Sequence, residues 1–137
     1  MIAILDWFSR AVLAWELSSS LSGDFCCVAL DRALRKYGPP IIFNTDQGAQ
    51  FTAKNFIDIL LSRNIQVSMD GRGRALDNVF IERLWRTVKY EEVYIRDYGS
   101  GAEAFTNLLR YFKFYNTKRP HSSLDDATPF EVYLAAA

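Results

Sequence analysis

Two carboxylates stand out by their placement. Asp46 follows the apolar run Ile41-Ile42-Phe43, inside Asn44-Thr45-Asp46-Gln47-Gly48. Ligand sites in α/β sheets gather at the C-terminal ends of strands. An Asp near a Gly is also an ordinary turn former, so a purely structural use stays open. Glu82 lies one turn into a helical pattern that begins near Asp77. Phe80, Ile81, Leu84 and Val88 form the apolar stripe of that pattern, and Asn78, Glu82, Arg86 and Lys89 share its other face. The competing use is a solvated Glu82–Arg86 pair, stabilising by about 0.3–0.5 kcal/mol. A strand-end Asp and a helix Glu brought together would make an all-oxygen site. Such a site suits a hard cation, Mg²⁺ or Mn²⁺. Two metals roughly 3.5–4 Å apart clamp the attacking and leaving oxygens of a phosphodiester displacement. Cations beside the carboxylates would hold a DNA backbone.

Other chemistries find no residues. The chain of 137 residues has one histidine, so multi-histidine metal sites are excluded. It has no G-x-S-x-G, no Walker A loop and no C-x-x-C. Cys26 and Cys27 are neighbours and read as reduced core or near-core thiols. Sixteen basic residues balance sixteen acidic ones, so any nucleic-acid site must be a local patch. No run of eighteen uncharged apolar residues is present, which argues against a membrane span.

The elements that must position the acids follow from periodicity. Residues 2–8 and 11–17 read as two strands joined by a tight turn, and residues 2–8 as a strand rather than a signal peptide. A helix is expected over 24–37, stopped by Gly38-Pro39-Pro40, then a short buried strand from Ile41. A helix over 53–64 and an alternating strand over 65–69 come next. Asp70-Gly71-Arg72-Gly73-Arg74 is loop-like, and a long helix starts near Asp77. Ser100 with Glu103 forms a capping box for a helix over 101–116, and Thr128-Pro129-Phe130-Glu131 forms another. The order β-β-α-β-α-β-α-α plus a short helix argues for an α/β layered domain with mixed strand directions.

Three blocks of residues carry a family resemblance. They are Asp6-Trp7-Phe8-Ser9-Arg10; Asn44 through Phe51, continuing by Ser68-Met69 to Asp77-Asn78; and Glu82 through Glu91, followed by Tyr115-Asn116, Arg119-Pro120-His121-Ser122-Ser123-Leu124 and Thr128-Pro129. The chain resembles the catalytic core of bacterial insertion-sequence transposases of the OrfB type, relatives of retroviral integrases. The resemblance spans nearly the whole chain. It implies an RNase H-like fold, a mixed sheet flanked by helices, and a DDE site in DNA transposition. Asp46 would be the second acid and Glu82 the third, both holding Mg²⁺ or Mn²⁺. Lys89 would contact DNA near the transposon end, and Arg86, Asn78, Arg72, Arg74, Lys118 and Arg119 are further DNA-binding candidates. The partners would be transposon ends and target DNA, and the location bacterial cytoplasm.

The resemblance also implies a departure. The family's first Asp lies on a strand preceding the one that opens this chain, and Asp6 belongs to the next strand's motif. The expectation is therefore one partial core over 1–137 with 101–137 as a helical extension, lacking the first, central strand and inactive alone. Two open inner edges would then favour a homo-oligomer or a strand-exchanged dimer. The alternative is a non-catalytic remnant that binds DNA or associates with a transposase. Arg110, Lys113, Lys118 and Arg119, interleaved with Tyr111, Phe112, Phe114 and Tyr115, suit either nucleic-acid binding or a helix with one solvated face.

Overall fold

In the computed structural model, β-branched and aromatic residues build short strands, and helices cover them. The structure describes residues 1–20, 22–46, 48–69 and 79–137. Two strands open the chain, β1 (Ile2–Leu5) and β2 (Val12–Glu16), followed by α1 (Asp24–Tyr37) and β3 (Ile42–Thr45). Then come a single turn of helix α2 (Ala49–Thr52), α3 (Lys54–Ser62) and β4 (Gln66–Met69). The C-terminal half holds α4 (Val79–Val88), a π turn at Lys89–Val93, α5 (Gly101–Thr117), a 3₁₀ turn at Ser122–Leu124 and α6 (Pro129–Ala136). Among the described residues the strands form two separate two-stranded sheets, β1–β2 and β3–β4. The link between β1 and β2 is far too short for a parallel crossover, so they form a hairpin. β3 and β4 run parallel, with Asn44 opposite Ser68 and Thr45 opposite Met69.

The chain divides into two compact units. Unit 1 comprises Met1–Ile4 and Leu13–Val79, and unit 2 comprises Leu5–Val12 and Phe80–Ala137. Unit 1 has an aliphatic core. Ile2, Ile4 and Ala14 pack with Leu30 and Leu34 of α1 and with Phe56 and Leu60 of α3. Phe56 is fully buried and meets Phe43 and Phe51 edge-on, at 6.0 and 5.4 Å between ring centres. In unit 2 the buried side chains are Leu84 and Val88 of α4 and Leu108, Tyr111, Phe112 and Tyr115 of α5. Here polar groups share the work. Asn116 accepts from the Val12 N–H and donates to the Val12 carbonyl, both at 2.9 Å. One side-chain amide thus satisfies both main-chain groups of the first residue of β2, as a neighbouring strand would.

Several expectations need correction. The turn between the first strands starts at Asp6, so the strands are shorter than 2–8 and 11–17. The cause is the Asp6 carboxylate. Its Oδ2 accepts from the Ser9 amide at 2.9 Å and from the Ser9 hydroxyl at 2.6 Å, while Arg10 takes a left-handed φ of 65°. The strand expected to be buried at Ile41 is not, because Ile41 is 85% and Ile42 54% exposed. The helix expected over 53–64 is α3, with Ala53 as its extended N-cap (ψ 140°), but the separate turn α2 before it was not expected. At Ser100 only half the capping box forms. The Ser100 hydroxyl accepts from the Glu103 amide, but the Glu103 carboxylate accepts from the Gly99 N–H instead. At Thr128 the box is complete, with Pro129 at the first helical position. Cys26 and Cys27 are free thiols, and no helix among the described residues is long and apolar enough to cross a membrane.

Candidate functional site

In unit 1, Asp46 sits one residue past the end of β3 and is exposed. Its Oδ1 accepts from the Gly48 N–H at 2.7 Å. A Cβ on Gly48 would lie 2.8 Å from that oxygen, so a larger residue there would push the carboxylate aside. The turn use of Asp46 is therefore real. It engages one carboxylate oxygen and leaves Oδ2 without a partner among the described residues. Two residues earlier and on the same side of the strand, the Asn44 amide donates to the Ser68 hydroxyl at 3.3 Å. That bond joins β3 to β4 directly beneath the strand end.

In unit 2, Glu82 is exposed on the first turns of α4, opposite the buried Leu84 and Val88. The Glu82–Arg86 pair does not form. The Arg86 guanidinium instead lies 5.8 Å from the centre of the Tyr90 ring. Arg86 and, at the start of the π turn, Lys89 are exposed like Glu82, and neither has an acidic partner among the described residues. The N-terminal end of this helix is braced by the hairpin turn of its own unit. The Arg10 guanidinium stacks on Phe80 at 3.8 Å from the ring centre, and Trp7 meets the same ring at 5.8 Å. Burial lowers the Arg10 pKa, against the attraction of Tyr115 and Asp6.

Beyond α4, residues named separately in the sequence come together in a cluster that was not expected. The π turn exposes one wider loop of backbone and points successive glutamates at different partners. The Arg119 guanidinium straddles the Glu91 carboxylate, with Nε at 2.9 and 2.8 Å from the two oxygens and Nη2 at 2.6 Å from Oε1. The Tyr111 hydroxyl donates to Glu91 at 2.6 Å. Burial pushes the Glu91 carboxyl up, but Arg119 and Tyr111 outweigh it and hold it below its ordinary value. Burial first, and then the same carboxylate, raise the Tyr111 phenol. His121 packs edge-on to Tyr115 at 4.9 Å, and burial and then Arg119 lower its pKa. Glu92 is buried and accepts from the Tyr98 hydroxyl at 3.0 Å, beside Arg96. Burial and Glu92 push the Tyr98 phenol up to about 12. The signal for this cluster lay in the third motif block, which runs from Glu82 through Glu91 and resumes at Tyr115 and Arg119. Nothing in that block says that Glu91 and Arg119 meet.

The sequence-predicted residues thus fall into three groups. Glu82 and Arg86 are exposed on α4 and Lys89 on the π turn that follows it, and Asp46 lies in the other unit. Lys118 is exposed at the end of α5, whereas Arg119 is committed to Glu91. Asn78, Arg72 and Arg74 lie outside the described residues. Carboxylates with free oxygens are the donors a hard divalent ion takes. No group of three or more His, Cys, Asp or Glu side chains is gathered among the described residues.

Comparison with known proteins gives this geometry its context. The sequence matches the family described as integrase core domain over residues 1–75, and a second integrase core domain family over residues 63–129. It is 34% identical over 134 residues to the transposase for insertion sequence element IS904 of Lactococcus lactis, covering 94% of this chain and 53% of that protein. It is 29% identical over 131 residues to the putative transposase InsK for IS150 of Escherichia coli, covering 93% and 46%. The chain therefore spans about half the length of the curated relatives it matches. Its fold matches the catalytic core of HTLV-2 integrase in complex with magnesium, with TM-score 0.72 at 18% identity over 93% of this chain and 80% of that one. The catalytic core of BIV integrase gives 0.69 at 18% identity, over 88% and 76%. The RNase H-like fold expected from the motifs is the fold observed. With the family match covering more than half of its residues, this chain belongs to the integrase core domain family and is similar to bacterial insertion-sequence transposases.

Proposed function

We propose that this chain is a partial DDE catalytic core that acts on DNA in transposition, and that Asp46 and Glu82 are its second and third metal-binding acids. One observation carries the reading. Each of these two family-motif carboxylates is exposed and free of any cation among the described residues, whereas Glu91 and Glu92 a few residues away are neutralised. A bound Mg²⁺ or Mn²⁺ would polarise the scissile phosphodiester. The protein's own part is to hold the two carboxylates and to steer the backbone with Lys89 and Arg86, joined by Asn78, Arg72 and Arg74. Two acids do not complete a two-metal site, so the 137-residue chain is inactive alone.

The test has two arms. Mn²⁺ binding, followed by the paramagnetic signal of the free ion, should weaken in Asp46→Asn and in Glu82→Gln. Nicking of supercoiled DNA by the chain should stay at background with Mg²⁺ or Mn²⁺. Robust cleavage lost in both variants would overturn the inactivity claim, and unchanged Mn²⁺ binding in both would overturn the site.

A second reading has its own observation. Among the described residues β1 has only β2 as partner and β3 only β4. Strands with an unpaired edge recruit another strand. A second copy, exchanging strands in a homodimer, would pair these edges and would serve a DNA-binding or transposase-associating role without catalysis. Light scattering at micromolar concentration reads the mass directly, and a monomer across that range would sink this reading.

A further inference from the structure

We infer that the groove between the π turn and α5 binds a single DNA strand, through its phosphates at Arg110, Lys113 and Lys118 and through base stacking on Phe114. The inference rests on the reading of this chain as one that acts on DNA, and it adds a surface distinct from the Asp46 and Glu82 carboxylates.

The groove is open, lies wholly within unit 2 and encloses about 780 Å³. Five cations and two acids line it. Both acids are satisfied internally, Glu91 by Arg119 and Tyr111 and Glu92 by Arg96 and Tyr98. Arg110, Lys113 and Lys118 are exposed and have no acidic partner among the described residues. The chain is neutral overall, so this local excess of positive charge is a property of the fold rather than of the composition.

The chemistry selects an anion of a particular kind. Arg110 to Lys118 spans eight helical steps, about 12 Å at 1.5 Å per residue, long enough for the three cations to meet successive phosphates of one strand. Phe114 lies between these cations and is 44% exposed, with one side of its ring against Tyr111 at 6.2 Å. An exposed aromatic among cations offers a platform to an unstacked base, which a single strand supplies and a duplex withholds. The two glutamates are engaged by their own partners and so do not cancel the free cations.

Fluorescence anisotropy in EDTA with a labelled oligothymidylate tests the inference, using the full chain. Changing Arg110, Lys113 and Lys118 together to Gln should reduce the slope of log affinity against log salt by about 2, as expected for three lost phosphate contacts on a single strand. Phe114→Ala should weaken oligothymidylate binding about tenfold and leave binding of an abasic oligomer unchanged. All of these positions are exposed, and equal thermal midpoints keep folding out of the comparison. A parental salt slope in the triple variant overturns the inference. So does tighter binding of a duplex or of a polyglutamate peptide than of the single strand, and so does an effect of Phe114→Ala on self-association alone. Failure of the metal site shows elsewhere, as Mn²⁺ binding indifferent to Asp46 and Glu82, so the two ideas fail separately.

Discussion

The two units of this chain are held together by different physics. The core of unit 1 rests on dispersion and burial, and its ion pairs, such as Arg32–Glu16 and Arg63–Asp31, stand outside that core. Its core residues, from Ile2 and Ile4 through Leu30, Leu34, Phe56, Leu60 and Ile65, are apolar with no buried ion pair among them. Unit 2 adds directional contacts to a smaller apolar cluster. Asn116 holds Val12, Arg119 and Tyr111 hold Glu91, and Thr128 with Glu131 caps α6. Apolar packing tolerates swaps that conserve volume and ignores pH. A charged, hydrogen-bonded network does neither. The carboxylates proposed for catalysis are divided between these two kinds of support, Asp46 in unit 1 and Glu82 in unit 2.

The contrast can be broken by mutation, most severely in the apolar core. Phe56→Ala should destabilise unit 1 by about 3–5 kcal/mol, because the site is fully buried between two other rings. Trp15 belongs to unit 1, while Trp7 and Trp85 belong to unit 2. Urea denaturation of single-tryptophan variants therefore reads each unit separately, and equal losses on both probes would erase the distinction. Arg119→Ala should cost unit 2 about 2 kcal/mol, since it strands a part-buried carboxylate. Arg119→Lys should recover only part of that, because an ammonium cannot straddle both oxygens. Full recovery by Lys would reduce the contact to a point charge.

Acid sharpens the contrast further. His121 is held below its ordinary pKa of 6.5, so its contribution is complete above 6.5 and is lost as pH falls through the folded value. Glu91 is held below 4.5, so its contribution is complete above 4.5 and is lost on further acidification. Tyr111 is raised above 10.0, so its contribution is complete below 10.0 and is lost as pH rises beyond it. Unit 2 should therefore weaken in two acid stages and again in alkali, on the Trp7 and Trp85 probes. Glu91→Gln should remove the second acid stage, and its persistence would assign that stage to other carboxylates. The smallest effect belongs to the cap. Thr128→Ala should cost about 1 kcal/mol in the same denaturation experiment.

Much of the fold was legible because local rules govern it. Gly38 closes α1 at its expected residue, Ser100 caps α5 and Thr128 caps α6, each through contacts within a few positions of chain. The turn α2 (Ala49–Thr52) ahead of α3 was not legible. The π turn at Lys89–Val93 was hidden too, since its residues continue an ordinary helical pattern. Of the candidate site, Asp46 and Glu82 were read from a strand end, a helix stripe and the family motifs. The Glu82–Arg86 pair that competed with that reading does not form, and Arg86 lies against Tyr90 instead.

The sequence by itself determined the order of the elements, their caps, the family and the two acids worth attention. Those properties depend on residue types within a turn or two of each other, where spacing on a helix or strand fixes neighbours. Only the tertiary structure decided which acids are neutralised and which are free. Glu91 finds its cation 28 residues away, across a turn and a whole helix, and Asn116 meets Val12 across 104 residues. A carboxylate's charge is answered by whatever stands within a few ångströms in space, and no local pattern specifies that distance.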